Sequence, residues 1–210
     1  MNQTFLIMEI LFATANQHKF DEAKAILGNK FTLIMPKELG FCEDIEETGE
    51  TLEENSFLKC QASVKQFGRE CFADDTGLEV EALNGAPGVY SARYANINSS
   101  DTEHYHQKNM LRLLDEMEKI ETATGIKNRK ARFRTIITLY FRGEYYTFEG
   151  IVNGVITYQM VGTNGFGYDP VFRPDGYDCT IAQMSNEQKN SLSHRGMAMR
   201  KLADFLNQQC

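Results

Sequence analysis

The residues best suited to chemistry are two adjacent carboxylates, Asp74 and Asp75, in the segment Phe72-Ala73-Asp74-Asp75-Thr76-Gly77-Leu78-Glu79. The pattern predicts a short apolar strand that ends at these carboxylates, then a turn and a second strand, which places them at the rim of a sheet, where α/β proteins bind ligands. Because neighbouring strand residues point to opposite faces, the two carboxylates are expected to have different roles. Two like charges this close resist joint ionisation unless a cation or a basic side chain compensates them, and Mg²⁺ held together with substrate phosphates would be a suitable cation. The alternative is an Asx-type turn, in which aspartates cap backbone amides.

Length and composition are those of one globular domain over residues 1–210, long enough to bury a core. The net charge of −7 argues against a nucleic-acid polymer as partner, since such a partner needs a basic surface. A local basic pocket for one phosphorylated small molecule remains compatible with that charge.

The cysteines and the N-terminal segment indicate a cytoplasmic protein with no membrane association. The five cysteines are odd in number and form no Cys-x-x-Cys pair, so neither a disulfide framework nor a zinc site is expected. The apolar run from Phe5 to Phe12 contains Glu9, lacks a basic leader and is too short to span a bilayer. We interpret it as a buried strand over about residues 7–13.

A polar loop joins this first strand to a helix whose apolar face includes Phe20, Ala23 and Leu27. A strand, a polar loop and a helix N-terminus together point backbone amides at an anion. Lys19 lies in the first helical turn, where its positive charge opposes the helix dipole, and a ligand phosphate could compensate that charge. An ordinary capped helix with a solvated lysine explains the same pattern. The loop residues are Thr14, Ala15, Asn16, Gln17, His18 and Lys19.

A second polar group surrounds a long helix predicted to begin at Thr51. Thr51 and Glu54 form a capping box, which explains most of the acidic residues nearby. It does not explain Glu46 and Glu47, which precede the helix, and a carboxylate there could complete a metal site with Asp75. Lys59 lies on the same helix, one turn after Asn55. A solvated lysine on the helix surface explains it without any functional role.

The second half of the chain predicts a helix, a solvated connection and a hairpin. The helix is expected over about residues 101–117 and the connection, a candidate lobe boundary, over 118–130. Strands over 131–141 and 144–156 flank Arg142-Gly143 and predict an antiparallel hairpin, so the sheet is expected to be mixed. The helix positions expected to face a core are Met110, Leu111, Leu113, Leu114 and Met117.

Two later segments could contact a nucleotide base. The glycine-rich segment 162–170 contains Phe166 and Tyr168, whose rings offer faces for stacking, and its glycines allow close approach to a ligand. The alternative is a turn-rich loop with its aromatic residues in the core. His194 and Arg195 begin a terminal helix, and arginine can read a purine carbonyl with fixed donors; ordinary surface basicity is the alternative.

Five segments, in order and in register, resemble the inosine triphosphate pyrophosphatases, also called non-canonical purine nucleoside triphosphate pyrophosphatases. Each segment is weak alone, but together they are specific and cover nearly the whole chain. Ala15 and Asn164 depart from the residues usual in many relatives, and neither departure removes a charged group. The segments are 14–19, 46–49 with Glu54, Asn55 and Lys59, 73–78, 85–93, and 165–170 with 193–195.

This resemblance implies a fold and an activity. The implied fold is α/β, an elongated mixed β-sheet flanked by helices, with two lobes and a central active-site cleft. The implied enzyme is a homodimer that uses Mg²⁺ to hydrolyse inosine, deoxyinosine and xanthosine triphosphates to the monophosphate and pyrophosphate.

The same resemblance implies the site residues. Asp75 would bind the metal and accept the proton of the attacking water, with Glu46 as the second metal ligand and with Glu47 and Asp74 in support; which of the two glutamates contacts the metal stays open. The triphosphate would be held by residues 14–19, Lys59 and Thr76. The base would be contacted by Phe166, Gly167, Tyr168, Asp169, Lys189, His194 and Arg195.

Three other functions fit parts of the pattern. Asp74-Asp75-Thr76 faintly resembles an aspartyl phosphatase nucleophile motif, although its acids are adjacent rather than one residue apart. A nucleotide-sensing module would bind without turnover, and a related pyrophosphatase would act on modified pyrimidine nucleotides. The products formed and the substrate profile separate these possibilities.

Overall fold

A computed structural model describes residues 8–28, 31–41, 45–95 and 105–209 of the chain. Four features of the sequence lie outside the described residues. They are the predicted start of the first strand at residue 7, the predicted start of a helix at residue 101, Cys42 and Cys210. The helices are α1 Gln17–Leu27, α2 Leu52–Phe67, α3 Tyr105–Thr124, α4 Asn186–Leu192 and α5 His194–Gln209. The strands are β1 Met8–Phe12, β2 Phe31–Ile34, β3 Cys71–Val80, β4 Pro87–Gly88, β5 Lys130–Phe141, β6 Glu144–Ile156 and β7 Phe172–Pro174.

The strands within the described ranges form one mixed sheet in the order β2-β1-β3-β5-β6-β7, with β4 beside β3. β1 is parallel to both β2 and β3, whereas β4 is antiparallel to β3 and β7 to β6. Arg142 and Gly143 join β5 to β6 with φ values of 51° and 89°, as a two-residue type I′ turn requires. The predicted α/β class, mixed sheet and hairpin are confirmed.

The central strand differs from the prediction. β3 is one continuous strand of ten residues, so the expected turn after Asp75 is wrong, and both aspartates lie within the strand rather than at its end. The chain stays extended there because each carboxylate is buried against a cation, which removes the need for an Asx turn.

The chain divides into two compact units. The first comprises the described parts of Met1–Asp75, Thr135–Gly150 and Arg195–Cys210, and the second comprises those of Thr76–Arg134 and Ile151–His194. The boundaries fall inside β3, β5 and β6 and after the first residue of α5. None falls within residues 118–130, so the lobe boundary expected there is wrong.

Helices cover both faces of the sheet in the first unit. On one face, α1 and α5 pack against alternate residues of β1, including Ile10 and Phe12. On the other face, Cys60 of α2 packs against Leu11 and Ala73. The alternation of side chains along a strand therefore presents Asp74 to α1 and α5, and Asp75 to α2.

Helix α3, in the second unit, differs from the prediction in two respects. The helix continues to Thr124, so residues 118–124 are not a connection; the ion pair between Asp115 and Lys119, four residues apart, stabilises this exposed stretch. Leu111 is 51% exposed rather than core-facing, because the buried stripe follows Met110, Leu113 and Met117 at helical spacing.

No helix in the described ranges combines the length and apolar character needed to cross a membrane. Three cysteines within these ranges, Cys60, Cys71 and Cys179, are free thiols.

Candidate active site

The loop before α1 forms a capped helix start. Asn16 Oδ1 accepts a hydrogen bond from Lys19 N at 3.2 Å, and Asn16 N donates to Thr14 Oγ1 at 3.1 Å. The side chains of residues 15–18 are exposed. The cap agrees with the interpretation of this segment as an ordinary capped helix. Lys19 is not a solvated lysine, however, since its Nζ lies 3.0 Å from Asp74 Oδ1.

Asp74 is the buried centre of an ion-pair network. It is 2% exposed, and Arg195 Nε lies 3.1 Å from its second oxygen while Arg195 Nη1 lies 2.8 Å from Glu22. Burial raises the pKa of the Asp74 carboxyl, but Lys19 and Arg195 outweigh burial and hold that pKa well below its usual range. Asp74 is therefore an anion at neutral pH, and it fixes Lys19 and Arg195 on one face of the sheet.

Asp75 has a different environment on the opposite face. Its Oδ1 lies 3.4 Å from Lys59 Nζ, and its buried Oδ2 has no hydrogen-bond partner in the described part of the chain. Burial raises the pKa of the Asp75 carboxyl, Lys59 opposes the change, and Glu47 adds to it. A buried carboxylate oxygen without a partner is costly. This atom is therefore suited to bind a cation.

Lys59 joins Asp75 to the acidic loop. Its Nζ lies 2.6 Å from Glu47 Oε1. Burial lowers the pKa of the Lys59 amine, but Asp75, Asp74 and Glu47 more than compensate and raise it. Lys59 is therefore a charged amine, not the solvated surface lysine of the alternative interpretation.

The carboxylate oxygens available in this part of the first unit fit a hard divalent cation. Asp75 Oδ2 and the glutamates at positions 46 and 47 are carboxylate oxygens, the ligand type that Mg²⁺ prefers. The side chain of Glu46 is exposed, whereas Glu47 is bound to Lys59. Among the described residues no group of three or more His, Cys, Asp or Glu side chains is arranged to hold a metal. The protein alone thus offers one or two carboxylates, the number typical of a Mg²⁺ site completed by substrate phosphates.

In the second unit, Asp169 organises the glycine-rich loop. Its Oδ2 accepts hydrogen bonds from Phe166 N at 3.1 Å and from Lys189 Nζ at 2.5 Å. Gly165 has a φ of 86°, and a Cβ there would lie 2.1 Å from Asp169 Oδ2. The loop conformation therefore depends on both the glycine and the buried carboxylate.

The two aromatic residues of this loop differ in exposure. The Phe166 ring is 59% exposed, and Lys189 Nζ lies 5.0 Å from its centroid. Tyr168 is 4% exposed, and its hydroxyl donates to the Ser91 carbonyl at 2.9 Å. Phe166 thus presents an exposed ring, with the His106 ring centroid 6.5 Å away, whereas Tyr168 anchors the loop to Ser91; a stacking role for Tyr168 stays a prediction.

The remaining predicted residues lie at a helix start and in the central strand. His194 stacks on Phe133 in the second unit with ring centroids 5.1 Å apart. Thr76 is half-buried in β3, directly after Asp75.

Glu22, which contacts Arg195 together with Asp74, was not predicted. Its position one turn after Lys19 on α1 is the sequence signal that could have identified it.

Comparison with known proteins agrees with this arrangement. The family model described as the Ham1 family matches residues 10–205. The chain belongs to the Ham1 family. The resemblance to the inosine triphosphate pyrophosphatases is thereby confirmed.

Curated relatives of this Ham1 chain match along nearly their whole length. A protein of Flavobacterium johnsoniae named dITP/XTP pyrophosphatase is 44% identical over 199 residues, covering 95% of this chain and 98% of the relative. A protein of the same name from Christiangramia forsetii is 42% identical over 200 residues, covering 95% and 100%.

Solved Ham1 structures share the fold. The Staphylococcus aureus Ham1 protein superposes with a TM-score of 0.85 at 40% identity, covering 96% of this chain and 100% of that structure. A HAM1 protein from Coxiella burnetii gives 0.87 at 33% identity, with the same coverage.

Proposed function

We propose that the protein hydrolyses non-canonical purine nucleoside triphosphates, namely inosine, deoxyinosine and xanthosine triphosphates, to the monophosphate and pyrophosphate. The observation that carries the proposal is Asp75, a buried carboxylate with one oxygen on Lys59 and the other without a partner among the described residues. The names of the relatives support the substrate class.

The proton acceptor in this reaction is Asp75. A carboxylate whose pKa is raised by burial is a better base than an exposed one. Water attacks the α-phosphorus, an oxygen–phosphorus bond forms as the bond to the bridging oxygen breaks, and pyrophosphate leaves. The proton of the water passes to the Asp75 carboxylate.

The cations of the first unit bind the charged phosphate chain. Lys59 stabilises charge that develops on the phosphate oxygens, and Lys19, fixed by Asp74, contributes a second positive charge beside the capped start of α1. Mg²⁺ held by Asp75 with Glu46 or Glu47 would neutralise further charge on the triphosphate.

The loop of the second unit binds the base. Phe166 offers an exposed ring for stacking, and Lys189, held beside it by Asp169, supplies hydrogen-bond donors suited to a purine 6-oxo group. An adenine amino group would face those donors with its own hydrogens and leave polar groups unpaired, at about 1–3 kcal/mol each. The role of Arg195 in reading the base stays a prediction, since the described contacts commit its guanidinium to Asp74 and Glu22.

The test is a product assay with purified protein, Mg²⁺ and the triphosphates of inosine, deoxyinosine, xanthosine, guanosine and adenosine. Pyrophosphate released chiefly from the first three is the expected result. Orthophosphate as the product, or tight binding without turnover, would overturn the proposal. The variant Asp75→Asn, assayed in parallel, reports contaminating activity, and excess EDTA measures the dependence on a divalent cation.

A further inference from the structure

Asn55, in the first turn of α2, is a buried polar residue with no role in the site described above. Its side chain is fully buried, and its backbone N–H already donates to the Thr51 carbonyl at 3.1 Å. Asparagine is a poor helix former, and a buried amide is costly unless it has a partner. Its presence therefore points to a specific contact of the side chain.

That contact is made with the acidic loop. Gly49 N donates to Asn55 Oδ1 at 2.8 Å, and this bond sets the orientation of the amide, because only its oxygen can accept from an N–H. A Cβ at position 49 would lie 2.7 Å from both Asn55 Oδ1 and Glu54 Cβ. Gly49 is thus required by close packing against Asn55.

Lys59 holds the other end of the same short segment. Asn55 and Lys59 are four residues apart and share one face of α2. Lys59 Nζ lies 2.6 Å from Glu47 Oε1 and 3.4 Å from Asp75 Oδ1. Residues 47–49 are therefore attached to α2 at two points, by Lys59 at Glu47 and by Asn55 at Gly49.

We propose that Asn55 is a positioning residue that holds segment 47–49 against α2 and so keeps the carboxylates of Glu46 and Glu47 in place for a divalent cation at Asp75. This consequence for the cation rests on the proposed function. Asn55 Nδ2 has no hydrogen-bond partner within the described ranges. Removal of the side chain leaves the Gly49 N–H without its acceptor, but it also removes this unsatisfied buried donor, which offsets part of the cost in stability.

The test compares Asn55→Ala with Ser63→Ala, which removes another buried polar group from the same helix. Binding of Mn²⁺ to the protein without substrate is measured by the electron paramagnetic resonance signal of the free ion. We expect Asn55→Ala to weaken binding by about 10–100-fold, as loss of a partner that orients a metal ligand does, and Ser63→Ala to change it less than about twofold. Equal Mn²⁺ affinity of wild type and Asn55→Ala, including no binding by either, would overturn the inference.

Hydrogen exchange at Gly49 provides a readout independent of the cation. The Gly49 amide is expected to exchange faster in Asn55→Ala than in wild type, and Asn55→Asp, which keeps an acceptor oxygen, is expected to restore protection. Unchanged exchange in Asn55→Ala would contradict the contact itself. A wild-type protein that binds Mn²⁺ but releases no pyrophosphate would overturn the proposed function alone.

Discussion

Asp74→Asn tests whether the buried ion-pair network holds the first unit together. The substitution keeps the shape of the side chain but removes the charge that Lys19 and Arg195 share, at distances of 3.0 and 3.1 Å. Both cations would then face a neutral amide in a site where Asp74 is almost fully buried. Removal of one partner from a buried ion pair costs about 3–5 kcal/mol.

The expected result is a large loss of stability at neutral pH. For a chain of this size each kcal/mol lowers the melting temperature by about 2–4 °C, so a fall of about 6–20 °C is expected in thermal unfolding followed by circular dichroism. The control is Asp115→Asn, which breaks the exposed ion pair in which Lys119 Nζ lies 2.6 Å from Asp115 Oδ2. Loss of this pair should lower the free energy of unfolding by less than about 1 kcal/mol.

The same variant has a defined pH dependence. The pKa of Asp74 lies below its ordinary value of about 3.9, so its carboxylate contributes stability above that value and loses the contribution as pH falls through the folded-state pKa. In urea unfolding, the difference in free energy between wild type and Asp74→Asn should be constant from about pH 8 to pH 5 and shrink below about pH 4. Equal stabilities at pH 7, or a difference that grows towards pH 3, would refute the reasoning.

Three further predictions concern the site itself. Asp75→Asn should lower kcat by at least about 10²-fold, as loss of a general base does, without loss of the folded circular dichroism spectrum; an active variant would remove Asp75 from the mechanism. Phe166→Ala should raise KM for inosine triphosphate by about 5–150-fold, the equivalent of 1–3 kcal/mol of stacking, with little change in melting temperature because the ring is exposed; unchanged KM would exclude stacking. Gly165→Ala should raise KM more than Gly176→Ala, because both glycines have positive φ but only at position 165 would a Cβ meet Asp169; equal effects in the same kinetic assay would argue against a precise loop geometry.

The sequence was sufficient for the features that depend on neighbours along the chain. Thr51 and Glu54 form the predicted capping box of α2, and Arg142-Gly143 forms the predicted hairpin turn, because caps and turns are set by a few consecutive residues. Local periodicity also gave the apolar face of α1. Five matching segments predicted the family, since their order and spacing are properties of the sequence alone.

The tertiary structure decided which charges meet. Asp74 and Asp75 are neighbours in sequence, yet Asp74 contacts Lys19 and Arg195, which are 55 and 121 residues away, while Asp75 contacts Lys59 on the other face. The sequence predicted that the two roles differ, because side chains alternate along a strand. It did not predict the continuous strand or the partner of each carboxylate, because those depend on which helix covers each face of the sheet.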